Sequence, residues 1–209
     1  MGKAEKAVSF AENIARDDSH GYDQNDRLGR YGDYDCSGLV IMACENAGIP
    51  VRSNGATYTG NSYTAFKKSG FEDVTKQVDL RTGKGLQRAD VLLTPGKHMA
   101  FYCGDGKMVD ARINENGKTK RGKKGDQTGH EIEIHAYKNH PFKYVLRYKE
   151  TASTAVISHS EEIHKIAKEV VRGGLGNGAF RRQKIRMAGY DYNEVMAEVN
   201  RMYREKDFS

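Results

Sequence analysis

Long apolar runs are absent from this sequence. Of its 209 residues, 37% are hydrophobic and 30% are charged, and no apolar run approaches the roughly 18 residues that a membrane-spanning helix needs. The amino terminus, MGKAEKAVSFAENIARDD, also lacks a continuous apolar stretch, so we expect no secretory signal peptide there. The composition predicts a folded, polar chain that does not insert into a membrane.

Cysteine is scarce, and its spacing argues against two common kinds of structural site. Cys36, Cys44 and Cys103 form an odd set without a CxxC pair or the His/Cys spacing of a metal site. Such a set indicates neither a disulfide framework nor a zinc site, and we expect no metal and no cofactor. Cys44 and Cys103 fall within apolar segments and are predicted to be core residues.

Basic residues outnumber acidic ones, but the sequence lacks the usual signs of nucleic-acid binding. The 34 lysines and arginines and the 28 acidic residues give a net charge of +6, which favours anionic partners such as nucleic acids, anionic membranes or anionic wall polymers. We find neither a clear helix-turn-helix nor basic residues interleaved with stacking aromatics on one surface. No nucleic-acid partner is therefore expected.

Two helices followed by strands are predicted for the first 150 residues. The first helix, residues 4–16, is amphipathic, and the second, residues 37–47, is apolar on most faces and ends at Gly48. Five strand-like segments follow, at residues 91–94, 98–103, 107–113, 131–137 and 142–148. Helices followed by a meander of strands predict an α+β fold.

The pattern changes near residue 150 and indicates a second domain. Residues 151–160 lose periodicity and accumulate small polar side chains, which predicts a linker between a first domain, residues 1–150, and a second, residues 161–209. The second has apolar positions at helical spacing, interrupted by GGLGNG and by Ala188-Gly189-Tyr190. Three short helices of this kind predict a small three-helix bundle.

Cys36 is the best candidate nucleophile in the sequence. It follows a polar, glycine-punctuated loop and begins an apolar helix, where free backbone N–H groups and the helix dipole stabilise negative charge. A thiolate at such a helix start, paired with a histidine, is a nucleophile. The alternative, from the residues alone, is that Cys36 is a small buried hydrophobic side chain.

His98 and Asp110 can complete a catalytic triad if their strands pair in one register. A three-residue loop at residues 104–106 would pair Cys103 with Lys107. That register puts Asp110 diagonally beside His98 on one face of the sheet, whereas a two-residue turn would put Asp110 on the other face. We therefore predict the longer loop, with Asp110 holding the imidazole of His98 toward the thiol.

Two segments resemble the NlpC/P60 superfamily of cell-wall cysteine peptidases: DYDCSGLV, around Cys36, and KHMAFYCGDGKMVDA, from His98 to Asp110. The resemblance covers residues 1–150 and implies a papain-like α+β domain with N-terminal helices packed on an antiparallel sheet. It implies Cys36 as nucleophile, His98 as base and Asp110 as the orienting residue. The superfamily more often has histidine in place of Asp110, and Gly-Asp where this sequence has Ala89-Asp90.

The resemblance also implies a reaction, the transfer of an acyl group from an amide to the cysteine and then to water. We expect the backbone N–H of Cys36 to stabilise the oxyanion. Candidate substrate contacts lie around the cysteine, namely Tyr22, Tyr34, Asp35 and Ser37. For the two tyrosines the alternative is ordinary packing in the loop. His135, in EIEIHAY, is an alternative to Asp110 as the third member.

Residues 162–203 resemble the Cpl-7 type wall-binding repeat of phage lysins. The signature G-N-G, R, A-G-Y-D-Y and V-N occurs in order, with Leu175 where that family usually has tryptophan. The resemblance implies binding of a muropeptide through residues of the glycine loop and the following helices: Gly176, Asn177, Gly178, Arg181 and Tyr190. From the residues alone, the glycine loop and Arg181 could equally cap helices and form turns.

Together the two resemblances imply a phage or prophage endolysin, made in the cytoplasm and acting on peptidoglycan after release. The implied reaction is hydrolysis of the γ-D-glutamyl bond to L-lysine or diaminopimelate in the stem peptide. The alternatives are an N-acetylmuramoyl-L-alanine amidase, a wall-binding protein without turnover, and a soluble papain-like protease or acyltransferase. The basic run KTKRGKKGD, residues 118–126, is predicted to be a solvated hairpin tip or a contact with anionic wall polymer.

Overall fold

The computed structural model describes residues 1–150 and 159–206. Gly2–Glu150 form one compact unit, and the described residues from 159 onward belong to a second. The predicted linker, residues 151–160, lies outside the described residues except for its last two positions, which begin a helix. Within the described residues, no helix is both long and apolar enough to span a membrane.

The first unit combines three helices with one six-stranded antiparallel sheet. The helices are α1 (Lys3–Ile14), α2 (Cys36–Asn46) and α3 (Thr59–Lys68). The strands are β1 (Phe71–Asp73), β2 (Val91–Thr94), β3 (His98–Gly104), β4 (Lys107–Ala111), β5 (Ile132–Ala136) and β6 (Tyr144–Tyr148). The sheet order is β1-β6-β2-β3-β4-β5, with every neighbouring pair antiparallel. The mixed α+β class with an antiparallel sheet is therefore confirmed.

Helix α2 is the centre of this unit. It packs against α1, β3 and β4, and eight of its residues are buried: Cys36, Ser37, Gly38, Leu39, Val40, Ile41, Ala43 and Cys44. This position explains why the segment is apolar on most faces, whereas α1 buries only one face. The first residue of α2 therefore lies against the sheet that carries the predicted base.

The strands β2 to β5 form the expected meander, but β6 does not continue it. It returns across the sheet and lies between β1 and β2. Helix α3 and the short strand β1 are elements that the sequence pattern does not predict. The strands therefore form a meander with one returning strand.

The β3–β4 hairpin has the predicted register but not the predicted loop. Gly104 pairs with Lys107, which leaves a two-residue turn, Asp105-Gly106, with φ of 49° and 68°. Two positive φ values match the tight turn that suits twisted antiparallel strands. A β-bulge next to Gly104 then shifts the pairing by one residue and brings Ala100 opposite Asp110. The three-residue loop is wrong, and the bulge supplies the extra residue that restores the expected pairing.

Ala89 adopts a backbone conformation that ordinarily favours glycine. Its φ is 70°, and its N–H donates to the carbonyl of Tyr102 at 2.8 Å. The next residue, Asp90, is fully buried, and both of its carboxylate oxygens accept hydrogen bonds at 2.7 Å from Arg147. A turn with positive φ explains why glycine is usual at the position of Ala89 in the NlpC/P60 superfamily.

Residues 159–206 of the second unit form three helices at the predicted places, α4 (His159–Val171), α5 (Gly178–Met187) and α6 (Tyr192–Glu205). Asp191 caps α6 by accepting the N–H groups of Asn193 and Glu194 at 2.7 and 3.0 Å. Apolar side chains from all three helices form its core: Ile163, Ala167, Val170, Ile185, Val195, Val199 and Met202.

Candidate active site

Cys36 begins α2, and the residues around it fix that helix start. Oδ1 of Asp35 accepts the N–H of Gly38 at 2.6 Å and the hydroxyl of Ser37 at 2.8 Å. Oδ2 of Asp35 pairs with Nε of Arg27 at 2.7 Å. Asp35 and Ser37 are only 3% and 2% exposed. Asp35 therefore caps the helix of the nucleophile and Ser37 holds that carboxylate, and the predicted contact of both with a substrate gains no support from their burial.

Gly38 lets the preceding loop approach α2 closely. A Cβ at this position would lie 1.5 Å from the carbonyl oxygen of Arg27. We expect Gly38→Ala to displace the helix start and to lower the free energy of unfolding by about 3 kcal/mol or more, measured by denaturant unfolding. The control is Gly117→Ala, where an added Cβ meets nothing within 4 Å and the positive φ costs about 1 kcal/mol. Equal losses in the two variants would contradict the steric explanation.

His98 begins β3 and contacts both other members of the predicted triad. Its Nε2 lies 2.7 Å from Oδ2 of Asp110, whose side chain is completely buried. Cys36 is the second neighbour of the ring, because its thiol acts on the pKa of His98 through hydrogen bonding and charge, next in size after Asp110. Because Nε2 faces Asp110, Nδ1 is the nitrogen that remains for the sulfur. Cys36, His98 and Asp110 therefore form a continuous row of thiol, imidazole and carboxylate.

Burial and hydrogen bonding shift the pKa of His98 in opposite directions, and the same is true of Asp110. Burial lowers the pKa of His98, but hydrogen bonds with Asp110 and then Cys36 outweigh it and raise that pKa to about 9. Burial raises the pKa of Asp110, but hydrogen bonds from His135 and His98 hold it well below its usual range. At neutral pH the site therefore contains a buried carboxylate beside an imidazolium.

Two more histidines surround this pair. Nε2 of His135, on β5, donates to Oδ1 of Asp110 at 3.1 Å, and Nε of Arg112 lies 3.6 Å from the same oxygen. The ring of His140 lies 5.2 Å from that of His98, and its Nε2 is buried without a hydrogen-bond partner within residues 1–150 and 159–206. Asp110 thus contacts His98 directly, while His135 contacts Asp110 from behind.

The two candidate tyrosines have different surroundings. Burial, and next the nearby Cys36, raise the pKa of Tyr22 to about 12, and its hydroxyl accepts from Gln24 at 3.3 Å. The pKa of Tyr34 is also raised to about 12, but by burial and by two aspartates of the loop. Its ring lies edge-on to His20 at 5.9 Å. Tyr22 is therefore a neighbour of the sulfur, whereas Tyr34 packs the loop.

A buried glutamate with no motif to mark it holds Tyr22 in place. Glu131 is fully buried, and its two carboxylate oxygens accept the backbone N–H groups of Tyr22 at 2.9 Å and Gln127 at 3.1 Å. Its one sequence signal is an acidic residue at the start of the apolar alternation of EIEIHAY. Glu131 therefore links the loop before β5 to the loop before Cys36.

The residues predicted to bind the wall contact one another in the second unit. Arg181 donates from Nε to the carbonyl of Gly176 at 2.8 Å, and from a terminal nitrogen to Oδ1 of Asn177 at 2.7 Å. Gly178, with φ of 58°, begins α5. The hydroxyl of Tyr190 lies 3.3 Å from a glutamate of α4. Arg181 thus holds the glycine loop, as the turn-forming alternative predicts, and ligand contact by these residues stays a prediction.

Solved structures similar to this chain include three proteins at low identity. A variant of the Resuscitation Promoting Factor Interacting protein RipA is 22% identical, with a TM-score of 0.35 over 55% of this chain and 43% of that chain. A hypothetical invasion protein of Mycobacterium tuberculosis is 18% identical, with a TM-score of 0.42 over 69% and 63%. The peptidoglycan hydrolase RipB of Mycobacterium tuberculosis is 17% identical, with a TM-score of 0.37 over 69% and 65%. The chain spans less than two thirds of each of these proteins.

A comparison with curated proteins finds no match. Two family models, however, match the sequence. Residues 164–202 match the CW_7 repeat, in the segment that carries the wall-repeat signature. Residues 2–109, just over half of the chain, match the endolysin-like domain, and this range includes Cys36 and His98. The family expected from the sequence is thereby confirmed: the chain belongs to the endolysin-like domain family and carries a CW_7 repeat.

Proposed function

We propose that this protein is a cysteine-type peptidoglycan hydrolase that cuts an amide bond of the wall stem peptide. The observation that carries the proposal is the position of His98, which lies between Cys36 at a helix start and buried Asp110, whose Oδ2 is 2.7 Å from Nε2 of the ring. Membership of the endolysin-like domain family and the CW_7 repeat support peptidoglycan as the target.

In the proposed reaction Cys36 acts as a thiolate with His98 as its imidazolium partner. The sulfur attacks the amide carbonyl carbon, and the charge that forms on oxygen is stabilised by the N–H of Cys36, which has no acceptor within its own helix. The C–N bond then breaks as His98 donates its proton to the leaving amine. Water, giving a proton back to His98, attacks the thioester, releases the new carboxyl group and restores the thiolate.

Asp110 supports each of these steps through His98. Its carboxylate holds the Nε2 side of the ring, so that Nδ1 faces the sulfur, and its charge favours the imidazolium that forms the ion pair with the thiolate. A nucleophile at the start of a helix that packs on the strand bearing the base also supports the papain-like arrangement.

The same proposal assigns residues 1–150 as the catalytic domain and residues 161–209 as a wall-binding domain. A weak binding module joined to a hydrolase by a short linker raises the local concentration of substrate, typically to about millimolar values. That effect matters most for an insoluble substrate. The proposed site of action is the bacterial wall, reached after the protein leaves the cytoplasm.

The proposed bond is the γ-D-glutamyl linkage to L-lysine or diaminopimelate, and the test is mass spectrometry of digested walls. An endopeptidase is expected to release shortened stem peptides and leave dipeptides on muramic acid. Intact stem peptides together with free lactyl groups on muramic acid would show an amidase instead. Walls that yield neither product, beside an active control lysin, would contradict the hydrolase proposal.

A further inference from the structure

Five basic side chains form an exposed cluster on the long connection between β4 and β5. They are Lys118, Lys120, Arg121, Lys123 and Lys124, here called the cationic loop, and all five are exposed. None of them has an ion-pair partner in the described part of the chain, whereas Arg27, Arg88 and Arg147 of the same unit all do. Five like charges within seven residues repel one another, so an anionic partner would be favourable here.

The acidic side chains of this connection accept hydrogen bonds from the backbone, and none of them forms an ion pair with the five cations within the described residues. Glu115 accepts the N–H of Lys123 at 3.0 Å. Asp126 accepts the N–H groups of Thr128, Gly129 and Glu131 at 2.9, 2.7 and 2.9 Å. Glu131 accepts those of Tyr22 and Gln127. These carboxylates therefore shape the backbone of the loop, and the five cations have no ion pair with them in the described part of the chain.

The backbone of the cationic loop is also held in one shape. Asn114, only 3% exposed, accepts the N–H of Lys118 at 2.9 Å and donates from its amide to the carbonyl of Lys120 at 3.1 Å. Beyond the loop, Gly125 donates to buried Asp33 at 3.0 Å. The cations consequently cannot spread apart by backbone motion without breaking these bonds, so the loop presents them together.

The cationic loop is joined to the segment that leads to Cys36. The carbonyl of Thr119 accepts the N–H of Gln24 at 2.9 Å. Asp33 accepts N–H groups from both sides, Gly21 at 2.8 Å and Gly125 at 3.0 Å. A polymer bound to the loop would therefore be held against the segment that leads to Cys36.

We propose that the cationic loop binds the phosphodiester-linked polyol polymers of bacterial walls. The proposal rests on the proposed function only in that the target surface is a wall. Four of the five cations are lysines, which act as point charges toward single phosphates, whereas bidentate recognition of carboxylates or phosphates favours arginine. The connection from residue 112 to 131 contains no phenylalanine, tyrosine or tryptophan, so it offers no platform for stacked bases, and a polymer without bases fits better than a nucleic acid.

The test measures binding of fluorescent poly(glycerol phosphate) to the full chain carrying Cys36→Ala, over a range of salt concentrations. The variant Lys118→Gln, Lys120→Gln, Lys123→Gln is compared with a control of equal charge change on exposed lysines elsewhere in the unit, Lys68→Gln, Lys76→Gln, Lys84→Gln. We expect the loop variant to bind at least about tenfold more weakly at low salt, with a shallower salt dependence by about two units of slope, and the control to stay within about twofold of the parent.

Equal binding by the loop variant and the parent would overturn the proposal, and so would an equal loss in the control, because overall charge would then suffice. Tighter binding of single-stranded oligo(dT) than of poly(glycerol phosphate) would assign the loop to nucleic acid instead. On walls stripped of phosphodiester polymer, the loop variant and the parent are expected to bind alike. The chain used in this test carries Cys36→Ala and cannot act through the cysteine. These binding results therefore test the cationic loop even if the hydrolase proposal fails.

Discussion

Cys36→Ala is expected to lower the rate of wall lysis by about 10⁴-fold or more. The substitution removes the thiol that neighbours His98, and without that sulfur the thioester intermediate cannot form. Alanine fits the helix start, because the capping bonds of Asp35 go to Gly38 and Ser37 rather than to the replaced side chain. The measurement is the loss of turbidity of purified walls, beside a thermal unfolding curve that checks the fold.

The matched control is Cys44→Ala, which changes the other cysteine of the same helix. Cys44 is completely buried in α2, and burial raises the pKa of its thiol far above neutrality, so it remains a packing group. We expect Cys44→Ala to lose about 1 kcal/mol of stability and to keep lytic activity. Walls that clear as fast with Cys36→Ala as with the parent would rule out the cysteine mechanism.

The elements that the sequence predicts well are those whose signals are local. The apolar run of α2 ends at a glycine, and strand β2 matches its predicted bounds of 91–94. Helix α3 has no such signal, because only four of its ten residues are buried and its start depends on Asn61, which accepts the N–H groups of Thr57 and Tyr58. Strand β1 is three residues long and exists through its pairing with β6. Both depend on contacts that no short pattern records.

The candidate site likewise contains residues that local motifs predict and residues that only the fold brings together. Cys36 and His98 stand out through their motifs, and Asp110 follows from the register of one hairpin. That register is set by a bulge, which the length of the turn alone does not reveal. The groups behind the triad, His135 and Glu131, come from a strand and a loop that reach the site only through the fold. Such residues carry no motif because their role is to hold other side chains.

Asp110→Asn is expected to lower the lytic rate by about 10³- to 10⁴-fold and to change its pH dependence. An asparagine amide can donate to Nε2 of His98, which leaves the ring proton on the nitrogen facing Cys36 and so favours the wrong tautomer. The carboxylate of Asp110 also helps raise the pKa of His98 to about 9. The alkaline limb of the rate profile is therefore expected near pH 9 in the parent and at lower pH in the variant.

The pH dependence of stability gives a second measurement of the pair His98 and Asp110, because the direction of each pKa shift fixes the pH range in which that residue stabilises the fold. The raised pKa of His98 stabilises the fold fully below its usual value near 6.5, and this contribution is lost as the pH rises through about 9. The lowered pKa of Asp110 stabilises the fold above its usual value of 3.8, and this contribution is lost in acid. Both contributions are present between pH 3.8 and pH 6.5. The melting temperature of Asp110→Asn is therefore expected to fall furthest below that of the parent in this mildly acidic range.

His135→Phe separates the charge of Asp110 from its anchoring. This variant keeps a ring but removes the 3.1 Å hydrogen bond to Oδ1, and it leaves the carboxylate and its 2.7 Å bond to His98. We expect it to lower the rate by about tenfold or less, with an alkaline limb close to that of the parent, because the hydrogen bond that most raises the pKa of His98 is retained. If Asp110→Asn leaves that limb unmoved, or if His135→Phe moves it as far, then Asp110 is not the group that sets the charge of His98.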